Sequence, residues 1–496
     1  MVRLSTVACF ICVTSSFYPA LSKRQSKFGQ RCRLSAREQH AFQPPKPTGV
    51  IPNSTTSTSA VDNIPTATTS SDDVQIPTPN LNPPPPPPPP SLPNVVYGSD
   101  KIRGVNLGGW LVLEPWVTPS IFDATGNENI VDEFTFGQLQ DVGRAAEVLK
   151  QHWETWITED DFVQIAAAGL NHVRIPIGYW SVPLTSADTA MSTSTEPYIP
   201  GAWPYLLRAL TWARNHGISV IVDLHGAPGS QNGFDNSGQR TTNPTWAFSP
   251  DDITRTVDTL RFIAREIGDQ VSVIEFLNEP AGFRGPEWVA ATRDFFSRAY
   301  QAVREVAGDN VKVMISDAYV GVETWVGFLT PPSGQNTMMD VHDYQIFVDD
   351  VLSRSIDEHI AASCANIQAF RSYEASNLWT VVGEWSNALT DCTRWINGRG
   401  TGSRYDGSFS AGPGTVSQFH GTCIGKTGSW RYWTREYIEM LTRYWEAQTH
   451  VAETVQGWIF WTWKAEDADE WSYQKGLEGG WIPQDPTSRK YPNICG

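Results

Sequence analysis

The last four hundred residues of this 496-residue chain predict a parallel (β/α)8 barrel, also called a TIM barrel, and three observations favour it. Eight short apolar runs alternate with stretches of helical periodicity, which is typical of strands joined by helical crossovers. The length suits one large barrel. Polar residues end most of the runs. The predicted strands are Ile102–Asn106, His172–Ile177, Ser219–Leu224, Val273–Asn278, Val311–Ser316, Met338–His342, Trp379–Glu384 and Val455–Trp461.

The clearest crossover helix is predicted at Asp251–Gly268. Pro250 and two aspartates stand at its start, where a proline and acidic groups suit the first turn. Its apolar residues recur on one helical stripe, which predicts a helix packed against the sheet. The stripe consists of Ile253, Val257, Leu260, Ile263 and Ile267.

Polar side chains finish the predicted strands, and strand ends at the C-terminal face form the active site of such barrels. We therefore expect these side chains to share one pocket. They are Arg174, His225, Asn278, Glu279, His342, Glu384 and the run Trp461-Thr462-Trp463. His225 precedes a Gly-rich loop that could approach a ligand closely. We expect one of Trp461 and Trp463 to face the pocket and the other to pack in the outer layer.

Two glutamates carry the functional prediction. Glu279 closes V-S-V-I-E-F-L-N-E-P, and Glu384 closes L-W-T-V-V-G-E-W. A carboxylate at the end of a buried strand is costly to desolvate without a partner. Two carboxylates facing one pocket are the minimal equipment for cleaving a glycosidic bond. A buried ion pair with arginine is the purely structural alternative for each glutamate.

The neighbours of the two glutamates predict their roles in a retaining glycosidase, where the carboxyl groups lie about 5–5.5 Å apart. Glu279 is the better acid/base, because Asn278 beside it can bond the sugar 2-hydroxyl. Glu384 is the better nucleophile, since Arg174 and Tyr344 could keep it ionised.

Composition and motifs argue against nucleic acid, membranes, metals and cofactors as partners. The net charge is −16, and residues 41–496 contain 30 Lys/Arg against 52 Asp/Glu. An acidic surface disfavours nucleic acid and anionic membranes and suits a neutral substrate. The chain lacks a nucleophile elbow, an H-E-x-x-H pair, a Walker sequence and a dinucleotide fingerprint, so we predict neither a metal nor a cofactor.

Four segments are predicted along the chain. Residues 1–22 read as a secretory signal peptide, and residues 23–40 as a basic pro-segment that opens with a dibasic pair. Residues 41–97 form a disordered linker rich in Pro, Ser and Thr, with an N-glycosylation sequon at Asn53 and an expected polyproline II conformation. Residues 98–496 form the catalytic domain. We expect a secreted, extracellular or wall-associated monomer that is not inserted in a membrane.

Seven cysteines are present, and four of them lie in the predicted domain. Four cysteines in a secreted domain allow three pairings. A short loop between them favours pairing Cys392 with Cys423, which would leave Cys364 to tie the C-terminus through Cys495. Cys9 and Cys12 would leave with the signal peptide. Cys32 stays unpaired in the pro-segment on this interpretation.

Several longer motifs together resemble the fungal exo-β-1,3-glucanases of glycoside hydrolase family five. They include I-R-G-V-N-L-G-G-W-L-V-L-E-P-W (Ile102–Trp116), D-L-H-G-A-P-G-S-Q-N-G-F-D-N-S-G (Asp223–Gly238), F-L-N-E-P, H-D-Y-Q-I-F (His342–Phe347), V-G-E-W-S-N and F-W-T-W-K. The resemblance extends from about Tyr97 to Gly496.

The resemblance implies a barrel without a cofactor, with Glu279 as acid/base and Glu384 as nucleophile. It also implies two disulfides that fit the pairing above. The other pocket residues carried over by position are Glu114, Arg174, His225, Phe234, Asp235, Asn278, His342, Tyr344, Phe347 and Trp463. Among them, Glu114 and Asp235 resemble residues that grip the terminal glucose, and Phe234 and Phe347 match an aromatic pair around the next sugar. Trp463, rather than Trp461, is assigned to the pocket by analogy with the family.

One departure from the family pattern is Asp343, where relatives often have His. We expect Asp343 to point away from the pocket. The sequence therefore predicts a retaining exo-hydrolase that releases glucose from β-1,3-glucan. Alternatives are a β-1,6- or β-1,4-glucan or steryl-glucoside hydrolase on the same scaffold, or a non-catalytic glucan-binding wall protein.

Overall fold

The structure, a computed structural model, describes residues 91–410 and 417–496, and its eight parallel strands close into a barrel in chain order. The closing pair is β1 with β8, in register from Ile102 opposite Gly457. The strands are β1 Ile102–Asn106, β2 His172–Gly178, β3 Ser219–Gly226, β4 Val273–Glu275, β5 Lys312–Ser316, β6 Thr337–His342, β7 Trp379–Glu384 and β8 Gly457–Phe460. The predicted fold class and all eight predicted strands are confirmed.

Strand β4 ends three residues earlier than predicted. Beyond it, Phe276 N–H still donates to Met314 of β5 and Asn278 N–H to Leu224 of β3. The chain then turns at Glu279, whose φ of +49° lies in the left-handed region. The carboxylate predicted to close this strand therefore sits on a strained turn just above it.

Helices surround the barrel. The described α-helices are α1 Pro119–Asp123, α2 Glu133–Gln138, α3 Val142–Thr155, α4 Glu159–Ala167, α5 Trp203–Asn215, α6 Pro250–Ile267, α7 Pro286–Ala307, α8 Asp349–Leu352, α9 Ile356–Glu374, α10 Arg435–Ala452 and α11 Tyr473–Gly479. Helix α6 confirms the helix predicted at Asp251–Gly268. The Ser249 side chain accepts from the Asp252 N–H as its cap, and the predicted apolar stripe is buried.

The barrel interior is apolar at its lower end. One side chain from most strands forms a layer with no exposed surface, and Tyr97 and Trp379 pack against it from below. Tyr97 also bonds His172 through its hydroxyl at 3.0 Å. The layer consists of Ile102, Ile221, Val273, Met314, Met338, Val381 and Ile459. This plug stabilises the fold and leaves the upper end for the site.

Two disulfides join Cys364 to Cys495 and Cys392 to Cys423, which confirms the predicted pairing. Such bonds persist in oxidising compartments. The signal peptide, the basic pro-segment, residues 41–90 of the linker, the Asn53 sequon and the first three cysteines lie outside the described residues. Among the helices that the structure describes, none combines the length and the apolar character required to cross a bilayer.

Candidate active site

The side-chain alternation of the strands places polar groups directly above the apolar layer. Glu275 lies two residues after Val273 on β4, and Asp340 lies two residues after Met338 on β6. The two side chains of each strand therefore share its inner face. Asp223 follows Ile221 in the same way. All three carboxyl side chains are fully buried. The barrel interior therefore carries concentrated negative charge above its apolar plug.

Arg174 of β2 balances this charge and organises the site. Its Nε donates to Glu275 at 2.6 Å, and its Nη2 lies 3.1 Å from Asp223. Nη1 donates to Glu384 at 2.8 Å, and Nη2 donates to the Asn278 amide oxygen at 2.9 Å. One planar guanidinium thus fixes the positions of a predicted nucleophile and of the amide beside the predicted acid/base.

Glu384 reaches the pocket through an irregularity between β6 and β7. The register shifts between Val341 and His342, so that His342 pairs with Glu384. Gly383 makes room, because a Cβ there would lie 1.9 Å from Asp340 Oδ1. The Tyr344 hydroxyl donates to the second Glu384 oxygen at 3.0 Å. The predicted contacts of Arg174 and Tyr344 with Glu384 are both present.

Glu279 faces Glu384 across His342. His342 Nδ1 lies 2.8 Å from Glu279 Oε1 and 3.4 Å from Glu384 Oε2, and the three ligand-type atoms lie within 4.8 Å of one another. Both glutamates are buried, yet each keeps 4–5% of its surface exposed. At least one oxygen of each glutamate is therefore close enough for both carboxyl groups to act on a single sugar, as a retaining glycosidase requires.

Charge around His342 decides where a proton resides. Burial disfavours the imidazolium, but the charges of Glu384 and Asp340, with hydrogen bonds to Asp340 and Glu279, raise the pKa of His342 well above its usual value. Burial opposes ionisation of Glu279 too. The His342 hydrogen bond and charge, with bonds from Tyr319 and Asn236, nevertheless lower the pKa of Glu279 to about 2. The resting pair therefore holds its proton on the imidazole, in contact with Glu279.

Burial raises the pKa of Glu384, while the charges of His342 and Arg174 lower it and that of Glu279 raises it. The pocket thus joins two carboxylates, a guanidinium and an imidazolium. Glu279, His342 and Glu384 also offer atoms close enough to hold an ion. The cationic groups already beside these oxygens disfavour a metal there.

The polar atoms of the pocket that have no partner among the described residues include one nitrogen each of His225 and Asn278. Asp223 binds His225 Nδ1 at 2.6 Å and leaves His225 Nε2 unpaired. Arg174 holds the amide oxygen of Asn278, which leaves Asn278 Nδ2 unpaired. Both groups are buried, and buried polar atoms are normally satisfied. They provide a free ring nitrogen and an N–H donor for a hydroxylated ligand.

Glu114 and Asp235 form a second acidic pair in the same pocket. Burial, with the charges of Asp235 and Glu384, raises the pKa of Glu114 well above its usual value. Burial raises the pKa of Asp235 to about 7, and Arg240 opposes the shift. Asp235 Oδ2 has no partner among the described residues, while Glu114 accepts from the Trp116 indole at 3.1 Å. A protonated carboxyl both donates and accepts, which suits sugar hydroxyls.

The analogy that selected Trp463 for the pocket is wrong. Its indole N–H donates to Asp161 of α4 at 2.9 Å, and the fully buried ring packs on Tyr473 in the outer layer. Trp461 instead stacks on His225, with centroids 5.5 Å apart and planes at 11°. Strand β8 ends at Phe460, so side-chain alternation does not assign either tryptophan, and the contacts of the two rings decide which one faces the pocket. Asp343, as predicted, points outward, where it accepts from Asn366 of α9.

Aromatic side chains line the mouth of the pocket. Phe234 is 40% exposed and Phe347 is 38% exposed. Phe347 stands edge-on to Tyr344, and Phe234 stacks on Phe283. Tyr319, which also bonds Glu279, packs edge-on to Phe283.

Several groups touch the site without having been predicted from the sequence: Asn236, Tyr319, Asp223, Glu275 and Asp340. Asp223 and Asp340 lie two residues before predicted site histidines on the same strand face, and this spacing could have found them. Asn236 and Tyr319 lie in loops, where sequence carried no such signal.

A (β/α)8 barrel that holds two carboxylates this close, among amide, imidazole and indole groups at its C-terminal face, is a glycoside hydrolase. Comparison with known proteins agrees. Residues 138–396 match Cellulase (glycosyl hydrolase family 5). The chain belongs to this family, which confirms the resemblance described above.

Curated fungal relatives match over most of the chain. "Probable glucan 1,3-beta-glucosidase A" of Aspergillus fumigatus is 43% identical over 398 residues, which is 79% of this chain and 90% of the relative. "Glucan 1,3-beta-glucosidase 2" of Wickerhamomyces anomalus is 43% identical over 80% of this chain and 91% of its own length. Among solved structures, rutinosidase from Aspergillus niger has a TM-score of 0.59 at 19% identity and covers 78% of this chain and 99% of its own. That likeness concerns the fold alone.

Proposed function

We propose that this chain is a retaining exo-β-1,3-glucosidase, which releases glucose from the non-reducing ends of β-1,3-glucan. Glu384 attacks the anomeric carbon, and Glu279 protonates the departing glycosidic oxygen. Glu279 then takes a proton from water, which attacks the glucosyl–Glu384 ester and releases β-glucose. The observation that carries the proposal is the approach of the Glu279 and Glu384 oxygens within 4.8 Å.

His342 supplies the proton in this proposal. Its Nδ1 lies 2.8 Å from Glu279, so the pair contains the proton whether the imidazole or the carboxyl carries it. Negative charge that develops on the leaving oxygen draws the proton from Glu279, and His342 can replace it. Asp340 binds the far nitrogen of His342 at 3.1 Å and keeps the ring oriented.

Contacts among three loops support exo action. The segments that follow β1, β3 and β7 are tied together, and the first two of them carry Glu114 and Asp235. Arg394 binds Asp123 through two bonds of 2.7 and 2.8 Å. Arg240 donates to the Arg399 carbonyl at 2.9 Å. These ties favour a pocket with an end wall, which accepts only the terminal sugar of a chain.

The β-1,3 linkage is inferred from the relatives, whose names specify glucan 1,3-beta-glucosidases. We further propose secretion, with residues 1–22 as signal peptide, residues 23–40 as pro-segment and residues 41–97 as a linker before the catalytic domain. The two disulfides support an extracellular location.

The decisive experiment follows the products formed from β-linked glucose oligosaccharides. Wild-type enzyme should release glucose alone, first as the β-anomer in an NMR time course, and prefer β-1,3 over β-1,6 and β-1,4 linkages. A ladder of oligomers would contradict exo action, and initial α-glucose would contradict retention.

The same assay tests the nucleophile. Glu384→Gln should lower turnover by roughly 10³-fold or more with the fold intact, because the covalent step is lost. Glu305→Gln, at an exposed surface glutamate, is the matched control. Near-normal turnover by Glu384→Gln would refute the proposed mechanism.

A further inference from the structure

Helix α2 begins at two buried carboxyl groups that bind the segments following β1, β2 and β3. Asp132 is the N-cap of this helix, and Glu133 is its first residue. Asp132 has no exposed surface, and Glu133 is 2% exposed. Neither has a role in the proposed mechanism. Because a buried carboxylate is costly unless its oxygens are bonded, the partners of these two groups indicate what they hold in place.

Glu133 binds two N–H donors, one with each carboxyl oxygen. The Leu113 backbone N–H donates to Oε2 at 2.8 Å, and the Trp180 indole N–H donates to Oε1 at 2.7 Å. An ionised carboxylate provides an acceptor at each oxygen. Leu113 immediately precedes Glu114, so the first bond fixes the backbone that carries the Glu114 carboxyl.

The Trp180 ring supports the loop that carries Asp235. A Cβ at Gly226 would lie 2.6 Å from this ring, and a Cβ at Gly238 would lie 2.2 Å from it. The loop backbone therefore lies directly against the indole on both sides of Asp235 in sequence. Tyr198 stacks on the indole at 4.1 Å with planes at 6°. The bond from the indole to the glutamate thus fixes a ring against which the Asp235 loop packs.

Backbone bonds on either side of Glu133 join the same loop directly. The Phe134 N–H donates to the Gly238 carbonyl at 2.9 Å. The Arg240 N–H donates to Asp132 Oδ2 at 2.6 Å. Three successive residues at the start of α2 therefore connect the segments that follow β1, β2 and β3.

We propose that Glu133 is a positioning residue for the terminal sugar, and that it holds the Glu114 and Asp235 carboxyls at the spacing which that sugar requires. This proposal rests on the proposed function, because the sugar in question is the non-reducing glucose of the substrate. The partners of Glu133 follow β1 and β2, whereas the nucleophile Glu384 ends β7. A change at Glu133 should therefore weaken glucose binding and leave the chemical step nearly unchanged.

Glu133→Gln tests this role, because an amide has one acceptor oxygen and leaves one of the two N–H donors unpaired. The assay measures hydrolysis of p-nitrophenyl β-glucoside and its inhibition by glucose. KM and the inhibition constant of glucose should each rise about three- to tenfold, while kcat stays within about twofold of wild type. Such a split indicates lost binding that is equal in the ground state and the transition state.

Glu446→Gln is the matched control. Glu446 is also 2% exposed and also accepts two N–H donors, from the backbones of Lys490 and Tyr491. These partners lie in the C-terminal segment and carry no residue of the predicted site. Glu446→Gln should lower stability to urea to a similar degree, and should leave KM and the inhibition constant of glucose at wild-type values.

Trp180→Phe provides a second variant, because it removes one of the two donors to Glu133. In this background a single amide oxygen is sufficient for the Leu113 N–H. Glu133→Gln should therefore raise the inhibition constant of glucose by a smaller factor in Trp180→Phe than in the wild-type enzyme.

Two outcomes would overturn the proposal: a rise in the inhibition constant no larger in Glu133→Gln than in Glu446→Gln, or a fall in kcat with that constant unchanged. If Glu133→Gln does not fold, an unchanged constant in Trp180→Phe overturns the proposal as well. Absence of glucose release from β-1,3-linked oligosaccharides by the wild-type enzyme would instead contradict the proposed function. NMR titration of the same variants with glucose then tests the positioning role without turnover.

Discussion

The lower and upper layers of the barrel interior come from the same strands, but the lower layer buries apolar side chains and the upper layer buries charged ones. Val273, Met338 and Ile221 lie in the lower layer, and Glu275, Asp340 and Asp223 lie two residues further along in the upper layer. The lower layer gains free energy by removing apolar surface from water. The upper layer buries charges, which is costly unless every charge has a partner. The lower layer therefore stabilises the fold. The upper layer destabilises it in part, but places the polar groups that form the site.

This contrast predicts that substitutions in the upper layer affect both stability and turnover, whereas those in the lower layer affect stability alone. Arg174→Met should have the largest effect, because it leaves Glu275, Asp223 and Glu384 without their guanidinium partner. We expect the free energy of unfolding to fall by about 3–5 kcal/mol and hydrolysis to be lost. Urea denaturation and a laminarin assay measure the two effects.

The control for Arg174→Met is Arg265→Met, which removes a guanidinium that is 44% exposed and paired with Asp188 and Glu266. Surface pairs contribute about 0–1 kcal/mol, so little change is expected. If Arg174→Met unfolded at the wild-type urea concentration, the upper layer would not depend on this partner.

Glu279→Ala tests the contrast between the two ends of the barrel through its effect on catalysis. Loss of the acid/base should lower kcat/KM for laminarin by about 10²–10⁴-fold while the unfolding transition stays cooperative. A substrate with a good leaving group, such as a dinitrophenyl β-glucoside, should be far less affected in glycosylation. Added azide should restore turnover and yield β-glucosyl azide, since an anion can attack the glucosyl–enzyme ester without a base. An α-linked azide would contradict Glu384 as nucleophile.

Ile459→Val is the corresponding test of the lower layer. The deletion of one buried methylene should lower the free energy of unfolding by about 1 kcal/mol. kcat and KM should remain at wild-type values, because Ile459 lies in the apolar layer beneath the polar groups. A substantial fall in kcat without loss of stability would show that the two layers are mechanically coupled.

Tyr319→Phe should have the smallest effect and a direction that a structural role would not produce. The Tyr319 hydroxyl bonds the ionised form of Glu279 and so lowers its pKa, together with His342 and Asn236. Its removal leaves the Glu279 carboxylate more basic, so the proton that Glu279 shares with His342 is retained to higher pH. In a plot of kcat/KM against pH, the fall in activity on the alkaline side (the alkaline limb) should therefore move to higher pH.

The charged groups that influence this limb also include Glu384, Glu114 and Tyr344, which stay in place in Tyr319→Phe. Tyr432→Phe is the control, since Tyr432 is 85% exposed. A limb that moves to lower pH, or does not move, would contradict the assigned hydrogen bond.

Much of the site was predictable because barrel geometry converts sequence position into spatial position. Residues at strand ends, such as His225 and Glu384, must meet at one face once eight parallel strands close. The failure with Trp463 has an equally physical cause. Both tryptophans lie beyond the end of β8 at Phe460, where strand alternation no longer applies, and the Asp161 carboxylate on α4 binds the outward indole.

The sequence by itself determined the eight strands, the helix at α6 and the two glutamates 105 positions apart, because these depend on local pattern and chain order. Tertiary structure alone decided that β6 and β7 shift register so that Glu384 faces His342, and that Tyr319 reaches Glu279 from a loop. Register shifts and loop conformations arise from contacts between segments distant in sequence. No local pattern encodes such contacts.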